Sequence, residues 1–151
     1  MGKAKKPEKW EVVFYEVAQG NVPALKFLLA TPVGARAALL ATVYAVREGP
    51  PPSFRGGLRW QAMHAEMSGI YEARDRLDKT LYRLFCLLDR NGTEHGLDRP
   101  SIALLSGSSK DVGTEMDAAT YAAARGYRDQ YLAPAIRPIL LPVGTPPELT
   151  E

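Results

Sequence analysis

The residues able to do chemistry crowd into the middle of the chain: Arg59, Trp60, Tyr71, Glu72, Arg74, Tyr82 and Arg83, with Lys110 further on. Arginine stays protonated at every physiological pH, and its planar fork matches two oxygens of one phosphate. Tyrosine rings offer flat faces on which bases stack. Cations and rings together suit a sheet face that holds phosphate and stacks bases, and metal-free RNA cleavage is one chemistry consistent with such residues. In cleavage without a metal, the 2′-hydroxyl attacks the adjacent phosphorus and leaves a cyclic phosphate and a 5′-hydroxyl. That reaction needs a base, an acid for the leaving oxygen, and cations for the charge growing on the phosphate. Arg74 and Arg83 suit the last task and are poor bases. Glu72, Lys110, Tyr82 and His64 are the candidate proton carriers.

Each of these residues also has a plain structural reading. Arg83 interrupts the apolar run Leu81-Tyr82-Arg83-Leu84-Phe85-Cys86-Leu87-Leu88. There it either faces solvent or pairs with a carboxylate, and a cross-strand ion pair with Glu72 would satisfy it. Tyr71 and Tyr82 can be packing residues and His64 a polar residue at a strand end. His95 lies in a polar loop and is given no role.

Other chemistries find little support. Cys86, His64 and His95 stand apart, with no recurrence at metal-site spacing, so neither a metal nor another cofactor is expected. Gly107-Ser108-Ser109-Lys110 lacks the upstream glycine of a phosphate loop, and no serine sits in a Gly-x-Ser-x-Gly elbow. Of the 151 residues 46% are hydrophobic and 24% charged, which suits one domain with a real core. A net charge of +2 permits a nucleic-acid partner without arguing for one. One cysteine inside an apolar run suggests a reducing, cytoplasmic setting. Arg36, Arg47 and Arg83 break the longest apolar stretches, so no membrane span is expected. The segment 1–9 reads as a flexible basic arm and not as a signal peptide; a sharper reading gives it phosphate contacts.

The elements that must position these residues follow from periodicity. Trp10 to Val17 is rich in β-branched and aromatic residues and reads as a strand. Asn21 as N-cap and Pro23 in the first turn open a helix to Ala30; Thr31-Pro32 opens a second, Val33 to Glu48, with Ala37, Leu40, Val43, Tyr44 and Arg47 at helical intervals and Gly49 as stop. Trp60 to His64 is a short strand. Ser68 to Arg74 and Thr80 to Leu88 form a hairpin around 75–79, in which Ile70, Glu72 and Arg74 share one face against Tyr71 and Ala73. Asp89 to Pro100 reads as a loop, and Ser101 to Leu105 as a strand ended by Ser106-Gly107-Ser108-Ser109. Thr114 caps a helix reaching Leu132, with Met116, Ala119 and Ala123 on one stripe; the proline-rich tail 133–151 is expected to be extended or disordered, or strapped across the domain through Ile136, Ile139, Leu140 and Leu141. The order predicts an α+β domain over 10–132: an antiparallel sheet of about four or five strands with helices mainly on one face.

The segments Gly69-Ile70-Tyr71-Glu72-Ala73-Arg74 and Tyr82-Arg83-Leu84-Phe85 resemble two strands of the RelE/HigB-like toxin superfamily, including its phage-derived members. Leu105 to Lys110 resembles the fourth strand, and by element order the likeness covers roughly residues 10 to 132. The resemblance implies a RelE-like fold with an N-terminal helical hairpin and a C-terminal helix. It implies cleavage of mRNA, usually on the translating ribosome, and neutralisation by a helix-turn-helix antitoxin. By motif, Arg74, Arg83 and Lys110 match the family's functional basic positions and Glu72 its carboxylate; Arg59, Tyr71 and Tyr82 are the candidate RNA contacts. Two departures stand out. Ser109-Lys110-Asp111 replaces a Lys-Lys pair, and the threonine-proline that commonly follows is absent.

The expectation is therefore a metal-independent mRNA endoribonuclease of toxin type. The first alternative is an inactive relative serving as a protein- or nucleic-acid-binding module, which the reduced Lys110 loop favours. The second is an α+β domain whose sheet face is simply ion-paired.

Overall fold

The computed structural model describes residues 10–50, 59–115 and 117–133, and the backbone of 139–142. In chain order these form β1 (Glu11–Tyr15), α1 (Pro23–Ala30), α2 (Val33–Glu48), β2 (Trp60–Ala62), β3 (Ile70–Leu77), β4 (Thr80–Asp89), β5 (Ser101–Asp111), α3 (Ala118–Leu132) and β6 (Ile139–Pro142). The strands make one six-stranded sheet in the order β2-β3-β4-β5-β1-β6. The α+β class is as expected. The arms 1–9 and 143–151, and the expected contact through Ile136, lie outside the described residues.

Three sheet expectations need correction. The sheet is mixed and not antiparallel: β1 runs parallel to β5, Glu11 beside Ser101 through Phe14 beside Leu104. Parallel neighbours need a long crossover. Here α1, α2 and the β2–β3–β4 meander together supply it, entering the sheet at its far edge and returning to β1. The sheet has six strands because Ile139–Pro142 of the tail pairs antiparallel with β1. Proline is tolerated at such an edge, where no further strand needs its missing donor.

The third correction concerns the helices, which cover both faces. On one face α1 and α2 bury Leu28, Leu39, Leu40, Val43 and Val46 against Val12, Phe14, Leu84, Cys86, Ile102 and Leu104. On the other, Ala124 and Tyr131 of α3 close over Val13, Tyr15, Ile70, Phe85, Leu87, Ala103 and Leu105. The central strands β4, β5 and β1 are apolar at successive positions and not only at alternate ones. Such strands need cover on both sides.

Several local readings shift for identifiable reasons. α1 and α2 have their expected bounds, but Val22 and Pro32 stand at their N-caps without side-chain bonds. Asn21 instead bridges to Ala18, and the Thr31 hydroxyl donates back to the Phe27 carbonyl. The stripe of α2 runs through Ala35, Leu39, Val43 and Val46, leaving Ala37 exposed. For α3 the cap is Asp117, whose carboxylate accepts from the Ala119 amide, in place of Thr114. Its buried residues are Ala124 and Tyr131, whereas Ala119 and Ala123 are exposed and Met116 is outside the described residues.

β3 runs past Arg74 to Leu77, which faces Thr80 across a two-residue turn at Asp78-Lys79, the pair whose residue types read as a turn in the sequence. Asp78 takes φ +56, the left-handed conformation such turns require. β2 is shorter, ending at Ala62. β5 does not stop at Leu105; it continues to Asp111 because β4 offers a partner along its whole length, with one register shift at Phe85/Cys86. Gly107 belongs to this extension for a steric reason. A Cβ there would lie 2.2 Å from the Phe27 ring of α1.

Candidate functional site

Strand parity puts Glu72 and Arg74 of β3 on the α3 face with Arg83 of β4. Arg83 faces Arg74 directly across the ladder and Ser108 of β5 on its other side. Like charges directly opposite on a sheet repel. Glu72, the diagonal neighbour, offsets this: its Oε1 lies 3.6 Å from Arg74 Nε and its Oε2 lies 3.7 Å from Arg83 Nη1. Arg74 Nη1 also donates to Gln61 Oε1 at 3.0 Å. Lys110 lies further along β5, facing Leu81; its ammonium donates to the Thr114 carbonyl while its charge reaches Glu72. The fold thus brings Glu72, Arg74 and Arg83 into contact, with Lys110 further along the same face.

A fifth member escaped the sequence reading. Arg83 Nη1 donates to the hydroxyl of Tyr121 on α3, at 2.9 Å. That hydroxyl accepts from the guanidinium, so its own O–H remains available to donate elsewhere. Tyr121 also packs edge-on against Phe85, with ring centroids 6.1 Å apart. The available signal was its place about three turns before Leu132 in an amphipathic helix, but a helix of unknown face gives no partner on the sheet.

Glu72 is 6% exposed, and burial lifts its carboxyl above the ordinary 4.5, against the opposing pull of Arg83, Arg74 and Lys110. Its Oε2, Arg74 Nε and Arg83 Nε are all buried without a hydrogen-bond partner among the described residues. The charges are close but loosely matched. The raised value has a consequence for stability. A carboxyl whose folded-state pKa exceeds its unfolded one favours the neutral form in the fold, so its contribution is complete below the unfolded value and is lost as pH rises through the folded one. Wild-type stability should therefore fall, relative to Glu72→Gln, as pH climbs from 4.5 upward. Urea midpoints of the two proteins across that window would check it; a constant difference would contradict it.

The expected RNA contacts do not join this cluster. Tyr71 and Tyr82 lie on the opposite face, packed against the core under α1 and α2. Tyr71 stacks on Trp60 with centroids 5.2 Å apart and planes 14° apart. Their alternation with Glu72 and Arg83 forces this, since adjacent strand residues point to opposite faces. Arg59 is exposed, and its charge bears on Asp75, whose carboxyl burial raises. His64 is exposed just before the short 3-10 turn Ala65–Met67. Cys86 is fully buried, which pushes its thiol far up.

His95, given no role from sequence, is a structural anchor. Asp89 at the end of β4 is 3% exposed. Its Oδ2 accepts from Tyr131 at 2.7 Å and lies 2.6 Å from His95 Nδ1, while its Oδ1 accepts from the Asn91 amide at 3.1 Å. The loop 90–100 is thereby tied to α3, at the end of β4 remote from Arg83.

Among the described residues no group of three His, Cys, Asp or Glu is placed to hold a metal ion, and no helix is long and apolar enough to cross a membrane. No family model, no curated protein and no solved structure matches this chain.

Proposed function

We propose that the chain is an endoribonuclease that cleaves RNA by internal transesterification on the Glu72–Arg74–Arg83–Lys110 face, without a catalytic metal. The observation that carries this reading is the unequal charge of the cluster. Two guanidiniums flank one carboxylate and the charge of Lys110 adds to theirs from further along β5, and Nε of both guanidiniums is buried without a hydrogen-bond partner among the described residues. Buried donors are normally satisfied. A phosphodiester oxygen is an acceptor that two guanidiniums flanking one carboxylate would bind well.

In this reading Arg74 and Arg83 hold the non-bridging oxygens and stabilise the charge that grows as the 2′-oxygen bonds to phosphorus. Glu72 sets the two guanidiniums side by side and takes the 2′-hydroxyl proton; its burial makes it a stronger base than an ordinary carboxylate. As the bond from phosphorus to the 5′-oxygen breaks, Tyr121 or Lys110 supplies that oxygen's proton. Tyr71 and Tyr82 take no part in stacking on this face.

The two strand motifs, the helical hairpin after β1 and the helix after β5 support a RelE-like assignment. That assignment makes the substrate mRNA, bound on the ribosome, and the partner a helix-turn-helix antitoxin. A second reading has its own observation. Arg83 is only 12% exposed in its side chain and pairs with Glu72, as an ion-paired structural face would require.

Expression in a bacterial host, with mapping of mRNA 5′ ends, tests the function. New 5′ ends and growth arrest are expected, both lost in Arg83→Ala. Purified protein should keep cutting RNA in EDTA, provided any ribosomes added are stabilised by other means. Restoration of lost cleavage by magnesium in a ribosome-free assay would count against the mechanism.

A further inference from the structure

A cavity of about 310 Å³ opens between the start of α1, the middle of β5 and α3. Pro23 and Tyr127 supply ring surfaces, and Ala119 and Ala123 supply methyl groups. Ser106 and Thr120 add hydroxyl-bearing side chains. Ser106 is 8% exposed, and its Oγ has no hydrogen-bond partner among the described residues. Cross-strand pairing with Phe85 places Ser106 on the α3 face.

The cavity's position relative to Arg83 is fixed by two registers. Ser106 precedes by two residues Ser108, which faces Arg83. Two strand residues along and one strand across span roughly 8 Å between Ser106 and Arg83, within reach of a nucleotide whose phosphate and base bridge them. Thr120 precedes Tyr121, whose hydroxyl accepts from Arg83. A chain whose phosphate lay on Arg83 would carry an adjacent base to the mouth of this cavity.

We propose that this cavity is a nucleobase subsite, in which Ser106 reads the edge of a base flanking the phosphate held by Arg74 and Arg83. The inference rests on the ribonuclease reading for its phosphate position and adds base selectivity to it. Its volume lies at the small end of small-molecule sites. Its apolar walls suit the two faces of a flat ring. A buried hydroxyl without a partner suits the ring's polar edge, since leaving such a group unsatisfied is costly. Thr120, less buried than Ser106, is placed to meet the ribose.

The test is binding of four uncleavable probes, 2′-O-methyl tetranucleotides of A, C, G or U alone, measured by fluorescence anisotropy. One probe should bind best. Ser106→Ala should weaken that probe by about 3- to 10-fold and flatten the ranking, the worth of one neutral hydrogen bond. Ala123→Leu, at an exposed helix position that tolerates leucine, projects a larger side chain into the cavity and should weaken all four by about 10-fold or more. Equal binding of the four probes, or affinities unchanged in both folded variants, would overturn the subsite. Cleavage of ordinary RNA by the wild type is scored separately. Base-selective binding without cleavage would sink the ribonuclease reading and leave the subsite standing, and cleavage with unaltered probe binding would do the reverse.

Discussion

Arg83→Ala is expected to cut RNA cleavage by ~100-fold or more, the scale on which loss of one oriented charge-stabilising donor is felt. Arg83 carries this burden because it lies between Arg74, Glu72 and Tyr121. It faces Arg74, pairs with Glu72 Oε2 at 3.7 Å and donates to Tyr121 at 2.9 Å. Arg83→Lys should recover only part of the activity, because an ammonium is a point charge without the fork. The ion-paired structural reading predicts otherwise. Under it, Arg83→Ala leaves Glu72 buried without its more deeply buried partner, and Glu72→Ala leaves two guanidiniums facing each other, so both variants melt lower. Measuring melting and cleavage on the same preparations separates the two. Full cleavage by a folded Arg83→Ala protein would end the catalytic assignment.

The second large effect is on stability, at the other end of the sheet. Tyr131 is fully buried, packs edge-on against Tyr15 at 5.5 Å and donates to Asp89. Tyr131→Ala removes a large core side chain and one partner of a buried carboxylate together. It should cost ~3–5 kcal/mol, a large part of the stability of a domain this size. Tyr131→Phe keeps the ring and loses only the hydroxyl, so it should cost ~1–3 kcal/mol. His95→Ala should cost less than Tyr131→Ala, since water can reach its side chain, 20% exposed, and replace the lost bond at Asp89. Urea unfolding of the three variants would check the order. Tyr131→Ala within experimental error of wild type would contradict the view that α3 is fastened through Asp89.

The same residues show what a single sequence makes legible. Period-two alternation correctly placed Glu72 with Arg74, against Tyr71 and Ala73, because side-chain direction along a strand is a local property. Proline and glycine bounded α1 and α2 at Pro23, Ala30, Val33 and Glu48 for the same local reason. Pairing between distant segments was not legible. The parallel β1–β5 ladder joins residues about ninety positions apart, and nothing in Glu11–Tyr15 names Ser101 as its neighbour. The extension of β5 through Ser106-Gly107-Ser108-Ser109 reverses a strong local loop signal, since β4 pairs with it and Phe27 requires the glycine. Tyr121 and His95 were missed because their partners, Arg83 and Asp89, are set by packing and not by spacing. Tyr71 and Tyr82 carry a different lesson. Their chemistry suited stacking, but the parity that placed Glu72 and Arg83 correctly puts the two rings on the other face.

The most direct test of the central claim is the chemistry of the cut ends. Purified protein is incubated with RNA in EDTA, with and without stabilised ribosomes, and the termini of the fragments are determined. Attack by the 2′-oxygen on a phosphate held by Arg74 and Arg83 predicts a 2′,3′-cyclic phosphate on one fragment and a 5′-hydroxyl on the other. Fragments ending in a 3′-hydroxyl and a 5′-phosphate would contradict it, because those ends require attack by water and not by the neighbouring ribose.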